Sequence, residues 1–258
     1  MHWTKKHVAT AIAVGLASVV TASALNAEPI VIRYEGRRAD VYKPGKKLVP
    51  NATISLKADE ILTLLDERGT RVLRGPGNFN SSSSVAVKSV SNTSLAALIR
   101  TSSVRRARTG AVRGDKSPAS QTGSPNLWFV DMSKSGKFCV ADFNNLQLWS
   151  SNAELPRDII ATDIETGKTA STQFSKGQMT ANWPSTIVAA NGKNYTFAIS
   201  GQAESTSVQL TKVAMTGEER LDRMASTLLE NGCQTQSELL AATFAQADPA
   251  PLGEQEKK

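Results

Sequence analysis

The sequence predicts a mainly β protein, with a small β domain followed by a β-sandwich-like domain that ends in a helical hairpin. Three observations carry that prediction. Short runs rich in Ile, Val, Leu, Thr and aromatic residues recur between Gly, Pro, Asn and Asp turns. The early runs are too closely spaced for the helical crossovers that parallel βαβ units require. Sustained helical spacing comes near the end, where Leu221, Met224, Leu228 and Leu229 share one face and Leu239, Leu240 and Phe244 another.

Residues 1–27 read as a secretory signal. Lys5 and Lys6 precede an apolar stretch from Val8 to Val20, and small residues offer cleavage after Ala24 or Ala27. Thr10, Ser18, Thr21 and Ser23 dilute the stretch, which makes it a poor permanent span. Both histidines, His2 and His7, fall inside this segment. A processed chain would therefore lack the usual general base, metal ligand and pH switch.

Residues 28–80 form the first predicted domain. Ile30, Ile32 and Tyr34 alternate with Val31 and Arg33, and Lys43-Pro44-Gly45-Lys46 supplies a turn. Strands follow at Thr53–Leu56, Ile61–Leu65 and Thr70–Leu73, with turns at Asp66–Gly69 and Gly75-Pro76-Gly77. The stretch from Gly45 to Leu48, Ile54 with Leu56, and Asp59 to Phe79 (DEILTLLDERGTRVLRGPGNF) resembles the FecR-like domain of bacterial envelope proteins. That resemblance implies a compact β module with a role in envelope signalling. True FecR regulators also carry an N-terminal cytoplasmic region that engages a sigma factor. Here only seven residues precede the apolar stretch, so the resemblance is to exported proteins without that region.

Residues 81–123 read as a connector. Ser81 to Ser84 is a flexible start, and Leu95 to Ile99 predicts a short helix with Ser91 or Asn92 near its beginning. Arg100, Arg105, Arg106, Arg108, Arg113 and Lys116 then face only Asp115. Residues 28–123 carry a net +9 and residues 124–258 a net −4. Such asymmetry serves either attraction between the two halves or capture of an anionic partner. Arg105, Arg106 and Arg108 are the contact candidates, since guanidinium forks suit phosphate and carboxylate groups.

Residues 124–215 give the sandwich-like domain. Strands are expected at 127–130, 138–140, 146–149, 158–164, 169–174, 178–183, 194–199 and 207–213. Ser135-Gly136, Thr166-Gly167 and Asn191-Gly192 carry hairpin-turn chemistry. Trp128, Trp149 and Trp183 read as core residues by their strand spacing, with ring stacking on a ligand as the alternative. Residues 216–247 give the hairpin. Thr216 with Glu219 and Thr235 with Glu238 have capping-box spacing, Glu218-Glu219 suits a first helical turn, and Asn231-Gly232 is a stop. Residues 248–258, with two prolines and five charged side chains, are expected to be disordered.

Cys139 and Cys233 are the two cysteines, and in an exported chain they are expected to form a disulfide that ties the hairpin to a strand. No catalytic, cofactor or metal site emerges. Serine–histidine chemistry lacks its base, and no Ser-x-x-Lys occurs. Glu165-Thr166-Gly167-Lys168-Thr169 lacks the earlier glycine of a phosphate loop and reads as a hairpin turn. The implied function is an exported, non-catalytic binding or scaffold protein, periplasmic or secreted, without cofactor or nucleic acid. Its expected partner is an envelope protein or an anionic polymer, with membrane attachment only if the signal is retained. The alternatives are a histidine-independent hydrolase of cell-wall or glycan substrates, and a membrane-tethered regulator if the signal is uncleaved.

Overall fold

A computed structural model describes residues 28–82, 92–100, 123–215 and 219–245. The signal segment, Arg105, Arg106, Arg108, Thr216 and the 248–258 tail lie outside the described residues. The architecture is mainly β with a C-terminal helical pair.

In the first region, β1 (Ile30–Glu35), β3 (Ile61–Asp66) and β4 (Gly69–Arg74) form an antiparallel sheet in the order β1-β3-β4. Strand β2 (Thr53–Leu56) pairs with β5 (Gly77–Asn80). Alternation decides which face each residue serves. Val31, Leu62 and Leu64 join Tyr42, Leu48, Ile54, Leu56, Leu73 and Phe79 in this region's own core. Ile30, Ile32 and Leu65 point the other way, into a cluster shared with the helices. Burial on both faces explains why these strands read as nearly continuous apolar runs. The Gly75-Pro76-Gly77 break has a steric cause, because a Cβ at Gly75 would sit 1.9 Å from the Lys57 carbonyl oxygen.

Helix α1 (Asn92–Ile99) leads to the second region. The run Leu127–Phe129 departs from the expected strand, which is confined to β6 (Val130–Asp131). Asn126 holds Leu127–Phe129 as a buried loop: its Oδ1 accepts from the Trp128 amide at 2.9 Å and its Nδ2 donates to the Arg100 carbonyl at 2.7 Å. The Trp128 indole N–H donates to the Ile99 carbonyl at 2.8 Å, so the ring anchors the end of α1.

The following strands are β7 (Gly136–Val140), β8 (Gln147–Trp149), β9 (Arg157–Asp163), β10 (Thr169–Phe174), β11 (Thr180–Asn182), β12 (Asn194–Ile199) and β13 (Ser205–Lys212). They form a five-stranded sheet, β10-β9-β12-β13-β7, and a three-stranded sheet, β11-β8-β6. Phe138, Leu148, Ile159, Phe174, Tyr195, Phe197 and Leu210, drawn from both sheets, share one core. Strand β7 runs parallel to β13, and β6 runs parallel to β8. Of the three expected hairpin turns, Thr166-Gly167 joins paired strands β9 and β10. Gly136 and Gly192 have positive φ, but neither connects neighbours in a ladder. Left-handed glycine chemistry was legible there, whereas strand order was not.

Helices α2 (Leu221–Glu230) and α3 (Gln234–Thr243) lie between the two β regions. Leu221, Met224, Ala225, Leu228, Leu240 and Ala241 pack with Ile30, Ile32 and Leu65 on one side and Leu127, Trp128 and Val213 on the other. Helix α2 ends where the Gly232 amide donates to the Leu229 carbonyl at 3.0 Å and the Cys233 amide to Leu228 at 2.8 Å. Gly232 sits at φ 75°, as this Schellman-type stop requires.

Two capping expectations are corrected. Helix α3 starts at Gln234 with Cys233 as N-cap, so Thr235 is already helical and Glu238 accepts from Gln234 Nε2 instead. The short connection after Gly232 fixes that start and leaves no room for the box. Helix α2 starts at Leu221, so Glu219 precedes it, and the acid in its first turn is Asp222.

Candidate functional site

Among the described residues, three groups of side chains carry the chemistry. The first is the junction between helix α3 and strand β7. Cys139 and Cys233 form a disulfide with their Cα atoms 5.7 Å apart, closing a sequence separation of 94. Beside it, Gln236 is buried at 2% exposure. Its Nε2 donates to the carbonyls of Leu127 at 2.6 Å and Cys139 at 2.8 Å, while its Oε1 accepts from the Cys139 amide at 2.6 Å. On the other side, Gln234 Nε2 donates to the Ile32 carbonyl at 3.0 Å. The Thr70 amide donates to the Phe244 carbonyl at 2.9 Å. Arg220 reaches the Glu67 carboxylate at 2.6 Å. The helical pair is thus bonded to both β regions.

The second group is the carboxylates. Glu60, almost buried, accepts from Arg38 and from the Lys57 amide at 2.8 Å. Those bonds, Arg38 first, hold its carboxyl down at about 2. The Arg38 guanidinium is raised by the same bond and lies 5.7 Å from the centre of the Tyr42 ring. Asp66 pairs with Arg71 at 3.3 Å, and Arg71 also donates to the Ser81 carbonyl at 2.5 Å; burial lowers its guanidinium. Asp163 caps the β9–β10 turn through the amides of Glu165 and Thr166 at 3.0 and 3.3 Å, with Lys193 3.5 Å away. Burial alone would raise Asp163, but the amide bonds overcome it and its carboxyl is lowered. Each of these acids serves a turn or an ion pair. Ser133 donates to Asp131 at 2.7 Å in a turn. Among the described residues, no group of three His, Cys, Asp or Glu side chains could hold a metal.

The third group is a groove of about 380 Å³ in the second region. Gln147 of β8 stands directly opposite Asn182 of β11, and the Trp183 amide extends that ladder to the Leu146 carbonyl at 3.2 Å. Beyond this pair the strands part. A 3-10 turn, Phe143–Asn145, forms one wall, and the segment after Trp183 forms the other. Asp142 braces the first wall by accepting from the Asn144 amide at 2.9 Å and from Asn145 Nδ2 at 2.5 Å. Those bonds, the Asn144 amide first, lower its carboxyl. Tyr195 braces the second: its hydroxyl donates to the Val188 carbonyl at 2.8 Å and accepts from the Ala190 amide at 3.0 Å. The Trp183 indole N–H donates to Ile187 at 2.8 Å, and its ring packs edge-on against Tyr195 and Phe197.

Asn144, Asn145, Gln147 and Asn182 present carboxamides here beside Phe143 and Trp183, and none of the lining side chains is ionisable. Gln147 Oε1 is buried without a hydrogen-bond partner among the described residues, a condition that costs about 1–3 kcal/mol. No protein-family model matches the chain, and neither a curated protein nor a solved structure is similar to it.

Of the residues singled out in sequence, Cys139 and Cys233 meet at the junction. Trp128 and Trp149 are core residues, and Trp183 is half-buried at the groove. Sequence reasoning missed Gln236 and the groove. The signal for the groove was present as two amide-rich flanks beside aromatics, Phe143-Asn144-Asn145-Leu146-Gln147 and Asn182-Trp183. Nothing in sequence distinguishes Gln236 from any other helical glutamine.

Proposed function

We propose that this chain is an exported, non-catalytic binding or scaffold protein of a bacterial envelope, periplasmic or secreted, whose first β region acts as a FecR-like module. The observation that carries this reading is the helical pair bonded to both β regions. A frame of this kind holds two surfaces at fixed separation, which suits recognition. The disulfide suits an oxidising compartment. Glu60, Asp66, Asp142 and Asp163 stabilise turns and ion pairs, and the basic stretch around Arg105, Arg106 and Arg108 supplies charge for an anionic partner or an acidic face of an envelope protein.

The test uses the processed, oxidised protein and polyphosphate or lipopolysaccharide as the anionic probe. Replacing Arg105, Arg106 and Arg108 together by Gln should weaken binding and flatten its salt dependence. An unchanged affinity and salt slope removes the basic stretch from the reading. Turnover of purified envelope polymers, lost on substitution of a named side chain, overturns the non-catalytic assignment.

A further inference from the structure

We propose that the groove between the Phe143–Asn145 turn and the Trp183–Ala189 segment binds a neutral, polyhydroxylated ligand of the oligosaccharide class. Its lining comes from residues 143–147 and 182–189, and the proposal does not depend on which partner the basic stretch engages.

The chemistry of the lining selects the ligand. A carboxamide offers both a donor and an acceptor, which matches a sugar hydroxyl that needs one of each. The opposed pair Gln147 and Asn182 places two such groups side by side, and neither side chain makes a hydrogen bond within the described protein. Asn182 is exposed, so its carboxamide is open to a ligand. Gln147 Oε1 is buried, while the residue as a whole is half-buried. A half-turn about the broad terminal torsion of glutamine exchanges Oε1 and Nε2, which lets the oxygen take the other position. A ligand hydroxyl then supplies the donor that this oxygen lacks.

Apolar surface completes the match. The half-buried Trp183 ring lines the groove, and Val188, 74% exposed, stands on its rim. Both suit the C–H faces of a pyranose ring. A charged ligand fits poorly, since none of the lining side chains carries a charge to offset its lost hydration. Asp142 braces the turn, and the Lys212 ammonium lies 5.3 Å from the centre of the Phe143 ring. The walls are held by Asp142 and Tyr195 before any ligand arrives, which reduces the ordering cost of binding. The volume falls at the small end of ligand sites, whose range is about 300–1,000 Å³.

The experiment titrates the whole processed protein with maltohexaose, cellohexaose and chitohexaose, read by calorimetry and by the side-chain carboxamide signals of ¹⁵N-labelled protein. One of these sugars should saturate the site at or below roughly millimolar concentration and move the Asn144, Gln147 and Asn182 signals. Binding should hold steady from about 0.05 to about 0.5 M salt, because no charge is paired. Asn182→Ala and Gln147→Ala should each weaken it about tenfold. Replacing the three connector arginines should leave it unchanged, which separates this proposal from the polyanion reading. Asn182 is exposed, so its variant tests the site without endangering the core. Absence of saturation by all three sugars overturns the proposal, as does binding that survives both substitutions or fades with salt.

Discussion

The side chain of Gln236 pairs with both backbone groups of Cys139, accepting from its amide at 2.6 Å and donating to its carbonyl at 2.8 Å. Strand β7 is an outer strand of the five-stranded sheet, with β13 on one side only. On its other side, one carboxamide takes the place that a neighbouring strand's peptide group would occupy. An open edge is a template for unwanted pairing, and here a helix covers it. The same residue Cys139 also carries the disulfide to Cys233, three positions before Gln236. Covalent and hydrogen-bonded links therefore converge on one point of β7.

That convergence makes Gln236 costly to lose. Gln236→Leu removes the partner of one buried amide and two carbonyls, each worth about 1–3 kcal/mol when left unpaired. The expected loss is about 3 kcal/mol or more, read from the urea midpoint. A loss below about 1 kcal/mol would show that the contacts are replaced by solvent.

The disulfide is expected to contribute about 4 kcal/mol through loop closure, given the separation of 94 residues. Cys139→Ala with Cys233→Ala should lower the midpoint accordingly while the protein still folds, because Gln236 holds the same junction. Digestion of the wild-type protein under non-reducing conditions should yield a cross-linked Cys139–Cys233 peptide. Free thiols in that digest would refute the bond.

What the sequence made legible follows from how local each feature is. Strands β2, β3 and β4 were readable because their apolar residues and turn residues sit next to one another. Leu127–Phe129 misled because a buried loop and a buried strand have the same composition; the Asn126 side chain decides between them. The parallel pairing of β7 with β13 joins residues about seventy positions apart, and no local pattern encodes it. The groove was missed for a related reason. Its four carboxamides come from two distant segments, and each alone resembles an ordinary solvated turn.

Leu228 tests whether the two β regions unfold together. It is fully buried and belongs to the cluster that receives Ile30, Ile32 and Leu65 from one region and Leu127 and Trp128 from the other. Leu228→Ala should cost about 2–5 kcal/mol through lost burial and the cavity left behind. The methyl signals of Leu62 and Leu64 report the first region, and tryptophan fluorescence reports the second, where Trp128, Trp149 and Trp183 lie. Both probes should shift by the same amount. A shift confined to the tryptophans would mean that the first region stands alone.

Glu60 sets an acid limit for the first region. Its carboxyl, held by Arg38 and the Lys57 amide, falls from an ordinary 4.5 to about 2 in the folded chain. Between those values the unfolded chain binds the extra proton, so folding releases it and stability rises with pH. The contribution is fully present above 4.5 and drains away as the pH drops toward 2. Glu60→Gln keeps the shape and one acceptor but removes the titration. Its melting temperature should lie below wild type at neutral pH, and the gap should narrow steadily as the solution is acidified through that window. Asp142 and Asp163, also lowered, remain in both proteins, so the difference between the two curves isolates Glu60. A gap that stays constant across the window would mean that Arg38 stabilises this turn through shape alone.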